Sequence, residues 1–329
     1  MSQPFIRSRL LAPRDPQAVL SGLLGAPFAE YRRRWAEAEG DRRPAAPLHL
    51  DVDVTTACNF RCPMCPAGQS GHIFPGFEKG RFLDRALYRK ALAEGRAFGL
   101  PSLRLGLTGE PLLIDDLDQW VAEAREAGVL DISLISNGRL LSGEMSRRLI
   151  RAGLTRLMIS VDAAGAGTYA RVRPGGDWRI LLKNIDDFLR LRRELNSPTP
   201  LLRISFVEMS LNQGQQRAFE EIFGPRADYL SFQRYQNILG GRETDFRPAG
   251  QAPAGAGQGF CAEPLTRLAL HADGGLFPCC SDFGRRSPLG RLPADGLLGT
   301  WNSAAAAALA RPGAPGREPC RSCLAGGAL

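Results

Sequence analysis

Residues 48–65 read LHLDVDVTTACNFRCPMC, an apolar segment followed directly by a cysteine-rich loop. The segment from Leu48 to Val54 predicts a β-strand, and Cys58, Cys62 and Cys65 come just after it. A closed zinc site or a fully ligated iron–sulfur cluster takes four protein ligands, whereas this C-x3-C-x2-C loop supplies three thiolates. One coordination position is therefore left for a ligand from elsewhere.

The strand before the loop begins a regular alternation of short apolar segments with longer helical ones. Such alternation is typical of repeated βα units around a parallel sheet, so the predicted fold class is α/β. The predicted strands are 48–54, 103–107, 132–135, 157–161, 202–207 and 229–232. The predicted helices are 83–98, 117–127, 142–152, 180–195 and 215–223.

The 329 residues fit one sizeable domain and a smaller one. Residues 1–45 predict a helical extension, with a helix from Pro27 to about Ala38, and residues 46–246 form the core. Residues 247–260 are rich in Pro, Ala and Gly and predict a linker. Residues 261–329 then predict a small domain that starts with a hairpin around an Asp-Gly turn.

The net charge of +8 is carried almost entirely by arginine, and no aromatic-rich basic stripe accompanies it. This pattern does not favour nucleic-acid binding, although an anionic ligand fits it. No apolar run is long enough to span a bilayer, and the N-terminus does not resemble a secretory signal, so a cytoplasmic location without membrane attachment is predicted. In a reducing compartment the eight cysteines indicate metal or redox roles rather than disulfides.

Polar residues follow the predicted strands at their C-terminal ends, which is the edge where α/β sheets bind ligands. The cysteine loop therefore opens onto this edge. The polar residues are Thr108, Gly109 and Glu110 after the second strand, Asn137 after the third, Ser160 and Asp162 at the fourth, Glu208 and Asn212 after the fifth, and Gln233 at the sixth.

The C-x3-C-x2-C loop after the first strand of a βα array resembles the radical S-adenosylmethionine (SAM) superfamily. In that family the three thiolates ligate a [4Fe-4S] cluster, and SAM chelates the remaining iron. The resemblance covers about residues 46 to 240 and implies a partial (β/α)6 TIM-like barrel. It also implies an external electron donor such as flavodoxin or ferredoxin.

The resemblance also assigns roles to the strand-end residues. Thr108-Gly109-Glu110-Pro111 is similar to the family's Gly-Gly-Glu-Pro segment, which holds the SAM ammonium, although Thr108 replaces the first glycine. Ser160 and Asp162 resemble the serine segment that contacts SAM, and Arg173 matches the arginine that binds the SAM carboxylate. Asn137, Glu208, Asn212 and Gln233 are weaker matches. The alternative for Glu110 is a helix cap, and the alternative for the cysteine loop is half of a zinc site completed by His72 or the C-terminal cysteines.

The C-terminal cysteines have the number and spacing of a second metal site. Cys261, Cys279, Cys320 and Cys323 supply four thiolates, which on spacing alone suit zinc and iron–sulfur equally. The pattern resembles the SPASM/twitch extension of radical SAM cores, which implies one auxiliary [4Fe-4S] cluster in this small cysteine-rich hairpin domain. Cys280 is then an additional thiol with three possible roles. It packs as a small apolar side chain, it replaces one of the cluster ligands, or it donates a hydrogen atom to a substrate radical.

The resemblance implies reductive cleavage of SAM to a 5′-deoxyadenosyl radical that abstracts a hydrogen atom from a small-molecule or peptide substrate. Oxidation of a sugar, an aminocyclitol or a related small molecule is the favoured hypothesis. The alternatives are an epimerase that uses Cys280 as the hydrogen donor, a peptide maturase, and a metal-binding scaffold without enzymatic activity.

Overall fold

The computed structural model describes residues 9–39, 42–68, 77–235, 237, 245–250 and 262–310. The strands are β1 (Arg9–Leu11), β2 (His49–Val52), β3 (Ser102–Leu105), β4 (Asp131–Ser136), β5 (Arg156–Ser160), β6 (Leu201–Glu208), β7 (Tyr229–Arg234), β8 (Arg267–Leu270), β9 (Gly275–Phe277) and β10 (Gly290–Arg291). The helices are α1 (Pro16–Leu24), α2 (Ala26–Glu39), α3 (Arg85–Phe98), α4 (Leu117–Glu126), α5 (Gly143–Arg151), α6 (Ala166–Val172), α7 (Trp178–Glu194), α8 (Gln216–Phe223), α9 (Glu263–Thr266), α10 (Leu297–Trp301) and α11 (Ala304–Leu309).

The described strands form one sheet in the order β1-β7-β6-β5-β4-β3-β2-β8-β9-β10. Strands β2 to β7 are parallel to one another and correspond to the six predicted strands. The sheet is curved, as indicated by the electrostatic interaction of Arg104 on β3 with Arg203 on β6, which are separated in the sheet by two strands. The predicted partial barrel is therefore confirmed.

The two faces of the curved sheet differ in chemistry. Its outer face carries aliphatic side chains such as Leu103, Ile132 and Leu157, which are fully buried beneath the helices. Each such side chain stabilises the fold by roughly 1.5–3 kcal/mol. The helices present apolar faces to this side of the sheet. In helix α7, for example, the buried residues Leu181, Ile185, Phe188 and Leu191 share one face. The inner face carries polar and charged side chains instead.

The N-terminal extension covers the N-terminal ends of the barrel strands. The predicted helix from Pro27 to about Ala38 corresponds to α2, and Trp35 on this helix packs edge-on against His49 at a ring distance of 6.2 Å. The segment also contributes β1, which was not predicted and pairs antiparallel with β7. The extension thus closes one end of the barrel and leaves the polar strand ends at the other.

The C-terminal segment continues the same sheet. Strand β8 lies parallel to β2, and β9 turns back beside β8 through Asp273 and Gly274, as the Asp-Gly turn predicted. Gly274 has a φ of +86°, which glycine adopts without strain. Most of the predicted linker, together with Cys261, Cys320 and Cys323, lies outside the described residues. No helix in the described part of the chain is long and apolar enough to cross a membrane.

Candidate functional site

The cysteine loop, residues 58–65, lies at the C-terminal edge of the barrel, and the loop and the adjoining Ala57 are held by the segments after β3, β4 and α6. This anchoring explains why a short loop with little secondary structure has a defined position. Its hydrogen bonds are Glu110 N–H to the Ala57 carbonyl at 2.8 Å, Asn137 Nδ2 to Asn59 Oδ1 at 2.7 Å, and Arg61 N–H to the Pro174 carbonyl at 2.9 Å.

Two glycines permit this close packing. A Cβ at Gly109 would overlap the carbonyl oxygens of Thr55 and Ala57, so only glycine lets the loop after β3 approach the cysteine loop. Gly175 has a φ of +100°, and a Cβ there would lie 2.8 Å from the Asn59 carbonyl oxygen. The glycine in the Thr-Gly-Glu-Pro segment therefore has a steric role in this chain.

The three thiols of the loop have the surroundings of cluster ligands. Burial raises the pKa of each thiol, and that of Cys65 to about 11. Cys62 raises the pKa of Cys58 further, and both raise that of Cys65, whereas Arg173 lowers the pKa of Cys62. The Phe60 N–H donates to Cys58 Sγ at 3.4 Å, a bond of the kind that tunes iron–sulfur clusters. Arg173 Nη1 lies 3.8 Å from Cys62 Sγ. Buried thiols with such donors require a bound cation to remain thiolates.

No three His, Cys, Asp or Glu side chains among the described residues converge around a single point as a mononuclear metal ion needs. A [4Fe-4S] cube instead holds its cysteines at separate corners. The three thiols of the loop interact electrostatically with one another, and a set of three thiol donors fits a cluster that takes one ligand from elsewhere. The partners of the alternative zinc site, His72 and the cysteines at 261, 320 and 323, lie outside the described residues.

Glu110 is a buried structural link between the ends of β3 and β4. Its Oε1 accepts from the Ser136 hydroxyl at 2.7 Å and from the Leu112 N–H at 3.1 Å, and its Oε2 accepts from the Asn137 N–H at 2.7 Å. The carboxylate is thus the helix cap considered as the alternative role, at the short 3₁₀ helix Pro111–Leu113. Since a carboxylate has about four acceptor sites, one acceptor site remains for a ligand.

Arg173 and Asp162 form a buried ion pair next to the cysteine loop. Asp162 has a φ of +59°, and its Oδ1 also accepts from the Val207 N–H at 2.8 Å, so it ties the end of β5 to β6. Burial alone would lower the pKa of Arg173, but Asp162 and Cys62 raise it and keep the side chain charged. Its Nε is buried and has no hydrogen-bond partner. Arg173 therefore retains a donor beside the cysteines.

Thr108, the residue that departs from the family pattern, binds Asp53, which directly follows β2. Its hydroxyl lies 2.8 Å from both carboxylate oxygens, and its N–H donates to Oδ1 at 3.1 Å. Asp53 is fully buried, and this burial raises its pKa to about 7. The glycine-to-threonine difference thus adds a side-chain link between the ends of β2 and β3.

The remaining predicted residues lie around the same edge. Ser160 is partly buried and pairs in register with Ser205, and Gln233 is partly buried near the end of β7. Glu208 is the last residue of β6. Asn212 has a structural role, because its side chain binds the Met209 N–H at 2.7 Å and the Asp162 and Val207 carbonyls at 2.8 Å.

Of the C-terminal cysteines, Cys279 and Cys280 are described and follow β9. Cys280 lies against Arg104 on the inner face of the barrel, and the nearby charges are Asp51, Glu263 and Arg267. Burial raises the pKa of the Cys280 thiol. The cysteine loop and Cys280 therefore adjoin one interior, the first at the strand ends and the second at the level of β2 and β3.

The sequence did not predict Asn59, Asp53 or the inner-face arginines as parts of this region. Asp53 had a recognisable signal, since Asp51 and Asp53 alternate with aliphatic residues in a buried strand. The partner of Asn59 is set by tertiary contact with Asn137, which no local pattern reveals.

Comparison with known proteins agrees with this geometry. Residues 52–202 match the radical SAM superfamily model, and residues 261–324 match the model of SPASM, an iron–sulfur cluster-binding domain. The chain belongs to the radical SAM superfamily and carries a C-terminal SPASM domain. Its cofactors are accordingly a [4Fe-4S] cluster, SAM and auxiliary iron–sulfur clusters. The match to the SPASM model favours iron–sulfur over zinc for the C-terminal cysteines.

The chain is also similar to curated proteins. The chain is 25% identical over 261 residues to a probable GTP 3',8-cyclase of Methanococcus maripaludis, covering 69% of this chain and 83% of that protein. It is 35% identical over 133 residues to the GTP 3',8-cyclase of Synechococcus sp., covering 40% of this chain and 36% of that protein.

Solved structures with the same fold include anSMEcpe with bound AdoMet, at a TM-score of 0.58, 14% identity and 79% and 82% coverage of the two chains. BtrN in complex with AdoMet and 2-DOIA matches at a TM-score of 0.52, 16% identity and 80% and 85% coverage. At these identities the likeness concerns the fold alone.

Proposed function

We propose that this radical SAM enzyme oxidises a sugar, an aminocyclitol or a related small molecule by removing a hydrogen atom from carbon, with the auxiliary cluster as the acceptor of the second electron. The observation that carries the proposal is that the cysteine loop and Cys280 adjoin the same barrel interior. Cys280 directly follows Cys279, which is one of the proposed ligands of the auxiliary cluster. A substrate in that interior would therefore lie between the source of radicals and the proposed auxiliary site. An external donor such as flavodoxin or ferredoxin supplies the first electron. The cytoplasmic location stays a prediction.

We assign the binding roles as follows. Cys58, Cys62 and Cys65 hold the first cluster, and bound SAM with this cluster supplies the 5′-deoxyadenosyl radical. The free acceptor site of Glu110 receives the SAM ammonium, and Arg173 binds the SAM carboxylate through the donors beside Cys62. Ser160, Asp162, Asn137 and Gln233 lie around the same edge and complete this binding site, while Thr108 and Gly109 hold its backbone.

Residues of the chain also protect the reaction. Phe60 lies within the cysteine loop and is only 1% exposed, so it shields one side of the loop from water. The N-terminal helices close the opposite end of the barrel. Exclusion of water prevents quenching of a radical by side reactions.

The test uses the full chain, purified and reconstituted with iron and sulfide under anaerobic conditions. Reduction in the presence of SAM is expected to yield methionine and 5′-deoxyadenosine, and perdeuterated sugars and aminocyclitols are then screened for deuterium transfer into 5′-deoxyadenosine. A Cys58/Cys62/Cys65 triple alanine variant is the control and is expected to make neither product. A wild-type protein that binds iron but never cleaves SAM would refute the proposal.

Epimerisation is a second candidate, because Cys280 lies against the inner face of the barrel. In that case its thiol gives a hydrogen atom to the substrate radical, and one solvent deuterium enters the product. The resulting thiyl radical takes up one electron from the external donor and one proton from solvent, which restores the thiol. Cys280→Ala would then abolish product formation while 5′-deoxyadenosine is still made. If Cys280→Ala forms oxidised product at the wild-type rate, epimerisation is excluded and the oxidation proposal stands.

A further inference from the structure

The inner face of the barrel carries several buried arginines, and three of them are paired with carboxylates. Their side chains are at most 17% exposed. The pairs are Arg104 with Asp51 at 2.7 Å, Arg156 with Asp131 at 3.0 Å, and Arg267 with Glu263 at 2.6 Å. This is the arrangement expected where a buried guanidinium has a structural role, because a buried charge is tolerated when it is paired.

Arg203 on β6 differs from these three. It pairs in register with Met158 and lies on the same inner face. Its Nη2 donates to the Ser231 hydroxyl at 2.7 Å, and its Nη1 lies 3.5 Å from the Met158 sulfur, which is a weak acceptor. Its Nε is buried without a hydrogen-bond partner, as is the Nε of Arg104. What sets Arg203 apart is that within the described ranges no carboxylate lies at ion-pair distance from it.

The electrostatic surroundings make Arg203 a site of uncompensated positive charge. Burial lowers its pKa, the nearby Tyr229 raises it, and the cations Arg104 and Arg156 lower it. A guanidinium nevertheless remains protonated in proteins, so the charge persists. An anionic group placed here would neutralise that charge and could bind the planar donors in two-pronged fashion.

The depth of Arg203 in the barrel identifies which ligand the anion belongs to. Val207, whose N–H binds Asp162 at the SAM edge, follows Arg203 by four residues on the same strand. At roughly 3.3 Å per residue this separates the two backbone positions by about 13 Å. The SAM carboxylate, assigned to Arg173, is therefore not the partner of Arg203.

We infer that Arg203, with Ser231 beside it, binds a carboxylate or phosphate group of the substrate inside the barrel. This inference rests on the proposed function and narrows it, because it selects sugar acids, sugar phosphates or nucleotides over neutral polyols and cationic aminocyclitols. The anionic group anchors the substrate deep in the barrel, and the reacting carbon lies nearer the strand ends.

The test measures anion binding by calorimetry on the full reconstituted chain without reduction, so it does not depend on turnover. The probes are inorganic phosphate and acetate, which distinguish a phosphate site from a carboxylate site. Arg203→Met is expected to weaken binding of the preferred anion at least ten-fold. Arg203→Gln keeps a donor for Ser231 but no charge, and is expected to weaken binding of the same anion to a similar extent.

The control is Arg226→Met, which removes a partly exposed arginine that is paired with Asp186 outside the barrel. This variant is expected to bind the anion as the wild type does. The inference is overturned if the wild type binds neither probe, if both Arg203 variants bind like the wild type, or if Arg226→Met loses binding equally, since that indicates general surface attraction.

Thermal unfolding provides a second, independent readout. Arg203→Met is expected to melt at or above the wild-type temperature without added anion, because it removes an unpaired buried charge. Arg156→Met is expected to melt several degrees lower, because it leaves Asp131 unpaired. Equal destabilisation by both would indicate a structural role for Arg203 and overturn the inference. A protein that binds anions through Arg203 but never cleaves SAM would refute the proposed function and leave the anion site intact.

Discussion

Replacing Asp53 with asparagine is expected to change how stability depends on pH. Asp53 is fully buried, and its hydrogen-bond partner in the structure is Thr108. Burial raises its pKa to about 7, with Arg285 opposing and Asp273 reinforcing this shift. In the unfolded chain the same carboxyl titrates at its ordinary pKa, about 3.9.

The size and sign of the effect follow from this difference. A raised carboxyl pKa means that the folded state binds the proton more tightly than the unfolded state, so the free energy of unfolding falls as the pH rises towards and through the folded-state pKa. For a pKa near 7, the wild type loses about 2 kcal/mol between about pH 5.5 and about pH 8. Asparagine cannot ionise, and its carbonyl still accepts from Thr108, so Asp53→Asn lacks this loss.

The assay is urea unfolding followed by far-ultraviolet circular dichroism at several pH values in that range. The difference between Asp53→Asn and wild type is expected to grow with pH in favour of the variant. Asp186→Asn, which alters an exposed carboxylate on α7, is the control and is expected to keep the wild-type pH dependence. If Asp53→Asn and wild type lose stability in parallel, the Thr108 bonds hold Asp53 ionised and the reasoning from burial is refuted.

Three other changes have definite expected outcomes. Gly109→Ala would drive a methyl group into the Thr55 carbonyl and displace the cysteine loop, so the amount of iron bound per chain, measured by metal analysis, should fall. The control is Gly22→Ala, which has open space at its Cβ and should bind as much iron as the wild type. Trp301→Ala empties a site that is 1% exposed and should cost about 3–5 kcal/mol in urea unfolding, unlike substitution of an exposed side chain. Iron chelation should abolish 5′-deoxyadenosine formation, and readdition of iron and sulfide should restore it; activity that survives complete iron removal would contradict the assignment.

The barrel was predictable because its information is local. Each of the six strands is a short apolar run, and each helix has a buried stripe ended by a capping signal, as Asp177 caps α7 and Gly99 ends α3. Strand β1 was not predicted because a segment of three residues is too short to show a pattern of alternating apolar and polar residues. Its partner β7 also lies far along the chain. Tertiary pairing, rather than propensity, makes that strand.

The site was predictable in position but not in detail. Cysteine spacing and strand ends located the cysteine loop, whereas the use of Glu110 as a cap, the Thr108–Asp53 link and the inner-face ion pairs depend on which strands become neighbours. A sequence shows that Arg203 faces the same side as Ser205, because strands alternate, but not that it has no carboxylate opposite. Charge balance inside a barrel is a property of the closed sheet.

The parallel pairing of β2 with β8 affects how the protein is made. During translation β2 leaves the ribosome long before β8, so one backbone edge of the strand that leads into the cysteine loop stays open until the C-terminal segment is synthesised. An open strand edge invites pairing with other chains. Delivery of iron and sulfide to the nascent chain is therefore best deferred until β8 has closed that edge, and expressing the core without β8 would yield a polypeptide prone to aggregate.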